Sequence, residues 1–412
     1  MSSKKLAPLY GLVFLDSLNY FIVIPVLLKL FFETNATQFN FLPHDTSFAT
    51  RSFLTEITLI LSPLAALIAS PLLGYSSDLY GRKKTLTYCL SFISLGFLLP
   101  IFGILKQSLF LILLGRLLAG VGSASQPIAQ ACIADIIPIG SKAKFFSLMA
   151  LMMTLPIFIG PLIGNLLSSY SFTLISSNGL ITPYVFTFIL SLLNLFLLIF
   201  FFRPPHQNQQ NQQNQRSHVS ALKLLIHTPV LLIYGLIFIF LELSWSAYYQ
   251  SIAIYLTHVF TASVNLTTGF YTYLGLWMSA GLLFLYPLLI SYLKLSLKKI
   301  LKLSLFFIFL GSLLCFLGDG VILTQWLFSP LISLFTGVAY VALISLISDA
   351  SPPECQGLML GFTSTLLFTT WLITGLIAGG LLSIYIRLPL LLTLLFSLAA
   401  SLTSLIQLKN KK

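Results

Sequence analysis

The stretch Gly74-Tyr75-Ser76-Ser77-Asp78-Leu79-Tyr80-Gly81-Arg82-Lys83-Lys84 decides how this chain is read. Long apolar runs flank it on both sides, so it is expected to be a short loop at a membrane surface. It packs an acid, two glycines and three cations into a tight turn. Outward from it, runs of mostly apolar residues recur along the whole chain, and about 20 such residues cross a bilayer as a helix. Of 412 residues, 57% are hydrophobic and 8% charged. A soluble protein could not cover that much apolar surface. Backbone groups in lipid have to be hydrogen-bonded within their own segment, so the runs are read as helices.

Twelve spans are expected, at roughly 7–32, 53–75, 85–105, 109–137, 145–169, 182–202, 228–258, 268–293, 299–317, 323–349, 357–384 and 388–407. An even number puts both termini on one side. One set of loops holds Lys4, Lys5, Arg82, Lys83, Lys84, Lys142, Lys144, Arg203, Arg216, Lys223, Lys294, Lys298, Lys299, Lys302, Lys409, Lys411 and Lys412. The other set holds only Arg51, Lys106 and Arg387. Basic loops stay in the cytoplasm, so both termini are expected there. The net charge of +12 is therefore a topology signal, and no nucleic-acid partner is expected. Lys4 and Lys5 precede an apolar run that reaches Phe32 and carries Asp16. That run is read as a retained first span and not as a signal peptide.

Residues 203–215, Arg-Pro-Pro-His followed by a Gln/Asn tract, cannot bury a core. The organisation is read as a six-helix bundle over 1–202, a cytoplasmic linker over 203–227 and a second bundle over 228–412, with 221–227 a candidate surface helix. The halves repeat in order with an offset of about 215–226 residues. Pro71-Leu72-Leu73 matches Pro287-Leu288-Leu289, and Asp135 with Pro138 matches Asp349 with Pro352. Gly11 with Asp16 matches Gly235 with Glu242, allowing a gap. In this alignment Lys294 stands where Asp78 does. Parallel repeats of this kind suit alternating access, with a site between the halves at mid-membrane.

Three segments resemble the major facilitator superfamily, and within it the drug:proton antiporters of the tetracycline-efflux type. They are the loop from Gly74 to Lys84, span 4 with Gly115-Arg116-Leu117-Leu118-Ala119-Gly120 and its end Ala134-Asp135, and span 5 with Gly160-Pro161-Leu162-Ile163-Gly164. Gly160, Pro161 and Gly164 resemble the antiporter motif, while Pro156 and Asn165 stand where that motif has glycines. The resemblance implies twelve helices in two pseudo-symmetric bundles. It implies that Arg82 bridges to Asp135 and that Asp78 meets the N-terminal end of span 11, a favourable place for a carboxylate. With Gly74 and Gly81 these residues would form a cytoplasmic gate. It also links Arg116 to proton transfer and turnover.

A charge at mid-bilayer costs about 3 kcal/mol on insertion scales, so each needs a reason. Asp16 shares a helix face with Asn19 and Tyr20, and Glu242 shares one with Trp245, Ser246 and Tyr249. Two readings stand for both acids: protonatable groups facing one central cavity, or carboxyls that merely join helices. Arg116 either serves transport or pairs with a carboxylate such as Asp16. The aromatics Trp245, Tyr248, Tyr249, Tyr271, Tyr273 and Trp277 would stack an amphipathic or cationic ligand, or simply pack. Gln126, Gln130, Asn194 and Gln250 are cavity candidates, or interhelical bonds. His, Cys and carboxylates show no metal spacing, and no nucleophile or Walker motif appears, so neither an enzyme nor a cofactor is expected.

The function expected is a proton-coupled secondary transporter of a bacterial inner membrane. It would be a monomer in the lipid bilayer, with protons and a small molecule as partners. Export of an amphipathic or drug-like compound is favoured. A proton-coupled importer of a nutrient, metabolite or metal chelate is the alternative, and a non-transporting receptor or scaffold the remote one.

Overall fold

The computed structural model describes residues 7–32, 40–136, 142–169, 179–202, 225–352, 356–381 and 385–406. Among these residues the chain is all helical, with no strand. Span 1 is Ala7–Phe32, span 2 Phe48–Tyr80, span 3 Arg82–Leu105, span 5 Lys142–Ser168 and span 6 Thr182–Phe201. Span 7 is Pro229–Phe260, span 9 Leu297–Leu317, span 10 Ile322–Ala350, span 11 Gln356–Leu381 and span 12 Leu388–Ile406.

Two spans are irregular. Span 4 consists of Leu109–Gly122 and Ser125–Ile136, broken at Ser123 and Ala124. Span 8 begins as Val264–Ala280 and continues through two π-helical turns, Gly281–Leu285 and Leu288–Tyr292, on either side of Tyr286 and Pro287. Eleven of the described helices are long and apolar enough to cross a membrane, and span 11 carries a shorter apolar stretch, Gly361–Ile377.

Local chemistry explains the ends. Ser47 and Ser263 cap spans 2 and 8 by accepting from Thr50 N and Leu266 N. Pro229 starts span 7 at a position where no amide donor is needed. The opening motif is mostly not a loop. Span 2 runs to Tyr80, and only Gly81, with φ 96°, separates it from Arg82. Gly74 is helical with open space beside it, while Gly81 makes the turn. In the second half Lys294, which the repeat places at the position of Asp78, also has a positive φ, 48°. Of the candidate surface helix, 225–227 is described and helical, with Leu225 against Gly235.

The helices pair twice in the same pattern. Span 1 packs on 5 and 6, span 3 on 4 and 6, and span 2 on 4; correspondingly span 7 packs on 11 and 12, span 9 on 10 and 12, and span 8 on 10. Between the halves, span 5 meets 8 and 10, and span 11 meets 2 and the second part of 4. Spans 1, 7 and 10 are the most enclosed and span 6 the least. Outside, the helices carry exposed Phe110, Phe200, Phe284 and Leu317, the surface expected in contact with acyl chains.

Span 1 begins at the end of the bundle that carries Arg82, Lys83, Lys84 and Lys294, here called the basic face. At the opposite face, two of the few cations act as staples. Arg51 donates to the carbonyls of Phe31, Pro43 and Thr46 at 2.6, 2.8 and 3.1 Å. Arg387 pairs with Asp319 at 2.5 Å, and Asp319 also accepts from Tyr255.

Toward the opposite face the halves touch through glycine. A Cβ on Gly275 of span 8 would lie 2.3 Å from Phe158 N and 2.4 Å from Ile157 C of span 5. One on Gly375 of span 11 would lie 2.0 Å from Ile60 Cγ2 of span 2. The two halves are in close contact at both glycines.

Candidate functional site

Between the halves lies a cavity of ≈ 150 Å³. Eight spans line it. Spans 1, 2, 4 and 5 bring Asp16, Ser17, Tyr20, Phe21, Ser62, Pro63, Ala66, Ser123, Gln126, Ala150, Met153, Thr154 and Ile157. Spans 7, 8, 10 and 11 bring Glu242, Trp245, Met278, Leu282, Gly337, Tyr340, Leu367, Phe368 and Trp371. The lining is apolar and aromatic with a few hydroxyls and one amide. Among its described residues the only charged side chains are two acids, one from each half.

The two irregular spans shape this space. The break in span 4 brings Ser123 and Gln126 to the wall. It also aims Ser125 Oγ at Asp16 Oδ2, 2.9 Å away. Gln126 Nε2 donates to Ser17 Oγ at 3.3 Å. In span 8, Met278 and Leu282 reach the cavity where the helix passes into its first π turn. A π turn inserts one residue and rotates the remainder of the helix about its axis, a device common at functional sites.

Asp16 and Glu242 are both buried and both on the cavity wall. Tyr20, Trp245 and Gln126 join them there. Tyr249 stands directly behind, its ring centroid 5.3 Å from Trp245, 4.8 Å from Tyr271, 5.9 Å from Trp371 and 6.1 Å from Phe21. This cluster bridges the two halves. The expected aromatic group therefore divides. Tyr248, one residue from Tyr249 and about 100° round the helix, donates to Gln325 within the second half. Tyr273 packs with Trp277 and Trp326, away from the cavity.

Other expected cavity residues are engaged elsewhere. Gln250 Nε2 donates to Trp371 O at 3.1 Å and Thr374 Oγ1 at 2.8 Å, joining spans 7 and 11. Asn194 Nδ2 donates to Leu12 O at 3.3 Å, joining spans 6 and 1. Asn19 is fully buried off the cavity wall. Gln130 lies toward the basic face, 3.5 Å from Ser364 Oγ of span 11. Gly160 and Gly164 let span 5 approach span 1: a Cβ on Gly164 would sit 2.2 Å from Ile22 O, and one on Gly160 2.6 Å from Phe21 Cβ. Pro161 beside them is buried in the same helix.

Arg116 does not pair with Asp16. Its Nε donates to Thr58 O at 3.1 Å, and its guanidinium lies 4.8 Å from the centre of the Tyr20 ring. Among the described residues it forms no ion pair. Arg116→Lys keeps the charge but loses the directed Nε–H bond and the flat stacking surface. A loss of about 2 kcal/mol of stability is expected, read as a lowered Tm of the purified protein. An unchanged Tm would show that the charge alone matters.

At the basic face, Arg82 Nη1 donates to Ser77 Oγ at 3.2 Å. The side chains of Asp78 and Asp135 lie outside the described residues. Glu56 in span 2, absent from the candidates drawn from sequence, is buried, with both carboxylate oxygens lacking a hydrogen-bond partner.

A sequence profile described as Major Facilitator Superfamily matches residues 9–373, nearly the whole chain. The chain belongs to the Major Facilitator Superfamily. It is a multi-pass integral membrane protein. Among curated members, the Tetracycline resistance protein, class H, of Pasteurella multocida is 26% identical over 207 residues, 50% of this chain and 46% of that one. The class B protein of Escherichia coli is 31% identical over 202 residues, 48% of this chain and 44% of that one. The Bacillibactin exporter of Bacillus subtilis (strain 168) is 38% identical over 88 residues, 21% of this chain and 22% of that one. The match thus spans about half the length of the tetracycline resistance proteins. The crystal structure of the human organic anion transporter MFSD10 (TETRAN) superposes with a TM-score of 0.72, covering 98% of this chain and 99% of that one at 16% identity. That likeness shows the shared Major Facilitator Superfamily fold.

Proposed function

We propose that this protein is a secondary transporter that exports a small amphipathic, positively charged molecule in exchange for protons. The observation that carries the reading is the cavity wall: one acid from each half, an aromatic cluster beside them, and no basic side chain among its described residues. Such a wall attracts a cation by charge and by ring faces, and repels an anion once the acids ionise. The similarity to tetracycline resistance proteins and to a bacillibactin exporter supports export of a compound of comparable size.

Alternating access supplies the cycle. The halves 1–202 and 228–412 rock about the cavity, with 203–227 as their linker. Asp16 and Glu242 hold protons when the cavity faces the opposite side. They release them at the basic face, where cationic substrate takes their place. In this reading the basic face is cytoplasmic, as the distribution of Lys and Arg supports, and the membrane is the bacterial inner membrane. Asp78, Arg82 and Asp135, with Gly74 and Gly81, form a latch that favours closure of the cytoplasmic side. The working unit is a monomer.

Inverted membrane vesicles test the direction. With the lumen acidified, uptake of a lipophilic cation into the vesicles is expected, and a protonophore abolishes it. Uptake that needs the opposite gradient supports the proton-coupled importer. No gradient-dependent movement of any compound, with wild-type phenotype retained by Asp16→Asn and Glu242→Gln, supports a receptor or scaffold.

A further inference from the structure

Glu56 is a buried acid that the proposed cycle does not use. It lies eight residues inside span 2 on the opposite-face side, 1% exposed, and neither carboxylate oxygen has a hydrogen-bond partner. Ile60, one turn deeper on the same helix face, is the residue that meets Gly375 of span 11 where the halves close. Gln250 Oε1 of span 7 lies at the same contact and is likewise buried without a partner. So is the hydroxyl of Tyr249 on span 7. Orphaned polar atoms thus gather where one half closes on the other. Buried polar groups are normally bonded, and each exception calls for a reason.

The titratable and charged groups around Glu56 are few. Tyr20 of span 1 and Tyr271 of span 8 lie within electrostatic reach of it. Arg116 of span 4 is engaged with Thr58 O and the Tyr20 ring, and forms no ion pair with Glu56. Span 7 brings Tyr249 and Gln250. Span 11 brings Gly375 to the neighbouring Ile60, and a glycine does not titrate. An ionised carboxylate enclosed without a partner is far too costly to persist, so the group is neutral while this contact is closed. Separation of the halves would hydrate it and let it ionise.

We propose that Glu56 is a proton-binding site of the opposite-face gate, separate from Asp16 and Glu242, and that protonation of its carboxyl licenses closure at that face. The sign comes from linkage. The closed state binds the proton more tightly than the open one, so acid favours closure and alkali favours opening. In the exporting cycle this would tie resealing of the outer side to proton capture. The inference rests on the alternating-access reading but not on which cavity acid carries the coupled proton.

The test uses the full chain in lipid nanodiscs, spin-labelled at Ala49→Cys and Leu266→Cys. These positions begin spans 2 and 8 at the opposite face, one in each half. In the wild type the long-distance population is expected to rise about threefold or more from about pH 5 to about pH 9. Glu56→Gln, permanently neutral, is expected to hold the short distance at every pH. Asp16→Asn with Glu242→Gln is expected to retain a pH response. A Glu56→Gln protein that tracks the wild-type pH profile overturns the proposal. A wild type whose distance never changes, with pH or with a lipophilic cation, overturns the alternating-access reading as well. Infrared difference spectra of the wild type supply a check that needs no neutral variant. A carbonyl band of an unbonded carboxylic acid should appear on acidification and shift in Glu56→Asp. A band that is unmoved by Glu56→Asp also overturns the proposal.

Discussion

Glu242→Gln is expected to cut proton-driven transport on the order of 100-fold while leaving the protein folded and able to carry substrate down its own gradient. Gln matches Glu in size, and Glu242 is buried on the cavity wall beside Trp245. Among the described residues it is the only acid that the second half brings to that wall. In the proposed cycle, replacing the carboxyl therefore removes the coupling site and little packing. Asp16→Asn is expected to cost less, because an amide oxygen still accepts the 2.9 Å bond from Ser125 Oγ. Counterflow in proteoliposomes separates the two steps. If Glu242→Gln loses downhill exchange along with uphill transport, the carboxyl is needed for substrate binding or folding and not for coupling alone. If it loses neither, Glu242 is not the coupling site.

Gly275→Ala should have a comparable effect by a wholly different route. The added methyl would lie 2.3 to 2.6 Å from Phe158 N, Ile157 C and Ile157 O, all backbone atoms of the other half. A side chain could turn away, but a helix backbone cannot. The halves would have to separate by about an ångström, at a cost of about 1–3 kcal/mol to the closed state. The spin labels at Ala49 and Leu266 are expected to report a longer distance, and turnover is expected to fall about tenfold or more. Gly269→Ala is the matched control. It lies on the same helix with nothing within 4 Å of the new carbon, so distance and turnover should stay as they are. Equal behaviour of the two variants would mean that the contact at Gly275 does not close a gate.

The apolar runs make the twelve spans legible, because a helix in lipid needs the same residue chemistry along its whole length. The acids of spans 1 and 7 are legible for the same reason: they interrupt those runs at mid-depth. Glu56 escapes notice in the sequence because its apolar run starts at about 53, which puts the acid at a wet end. Span 2 in fact begins at Phe48, and the acid is enclosed. The break in span 4 and the π turns of span 8 have no local sequence signal strong enough to read. Ser123 and Gly281 are tolerated in straight membrane helices, and it is packing that decides. Gln250 and Asn194 are ambiguous because an amide in a membrane helix can face a cavity or bond a neighbour's carbonyl. Both bond the neighbour. Gly74 to Tyr80 looks like a loop through its polar residues. Among these, Ser76 Oγ donates to Leu72 O within the helix. Gly81 alone makes the turn.

The exchange of protons for substrate in one cavity is the central claim, and proton release on binding measures it directly. A lipophilic cation added to the purified protein in weakly buffered solution near neutral pH should release protons in proportion to the sites filled. The double variant Asp16→Asn, Glu242→Gln should release none. Binding of the cation by the wild type with no release of protons, or equal release by the double variant, would contradict it.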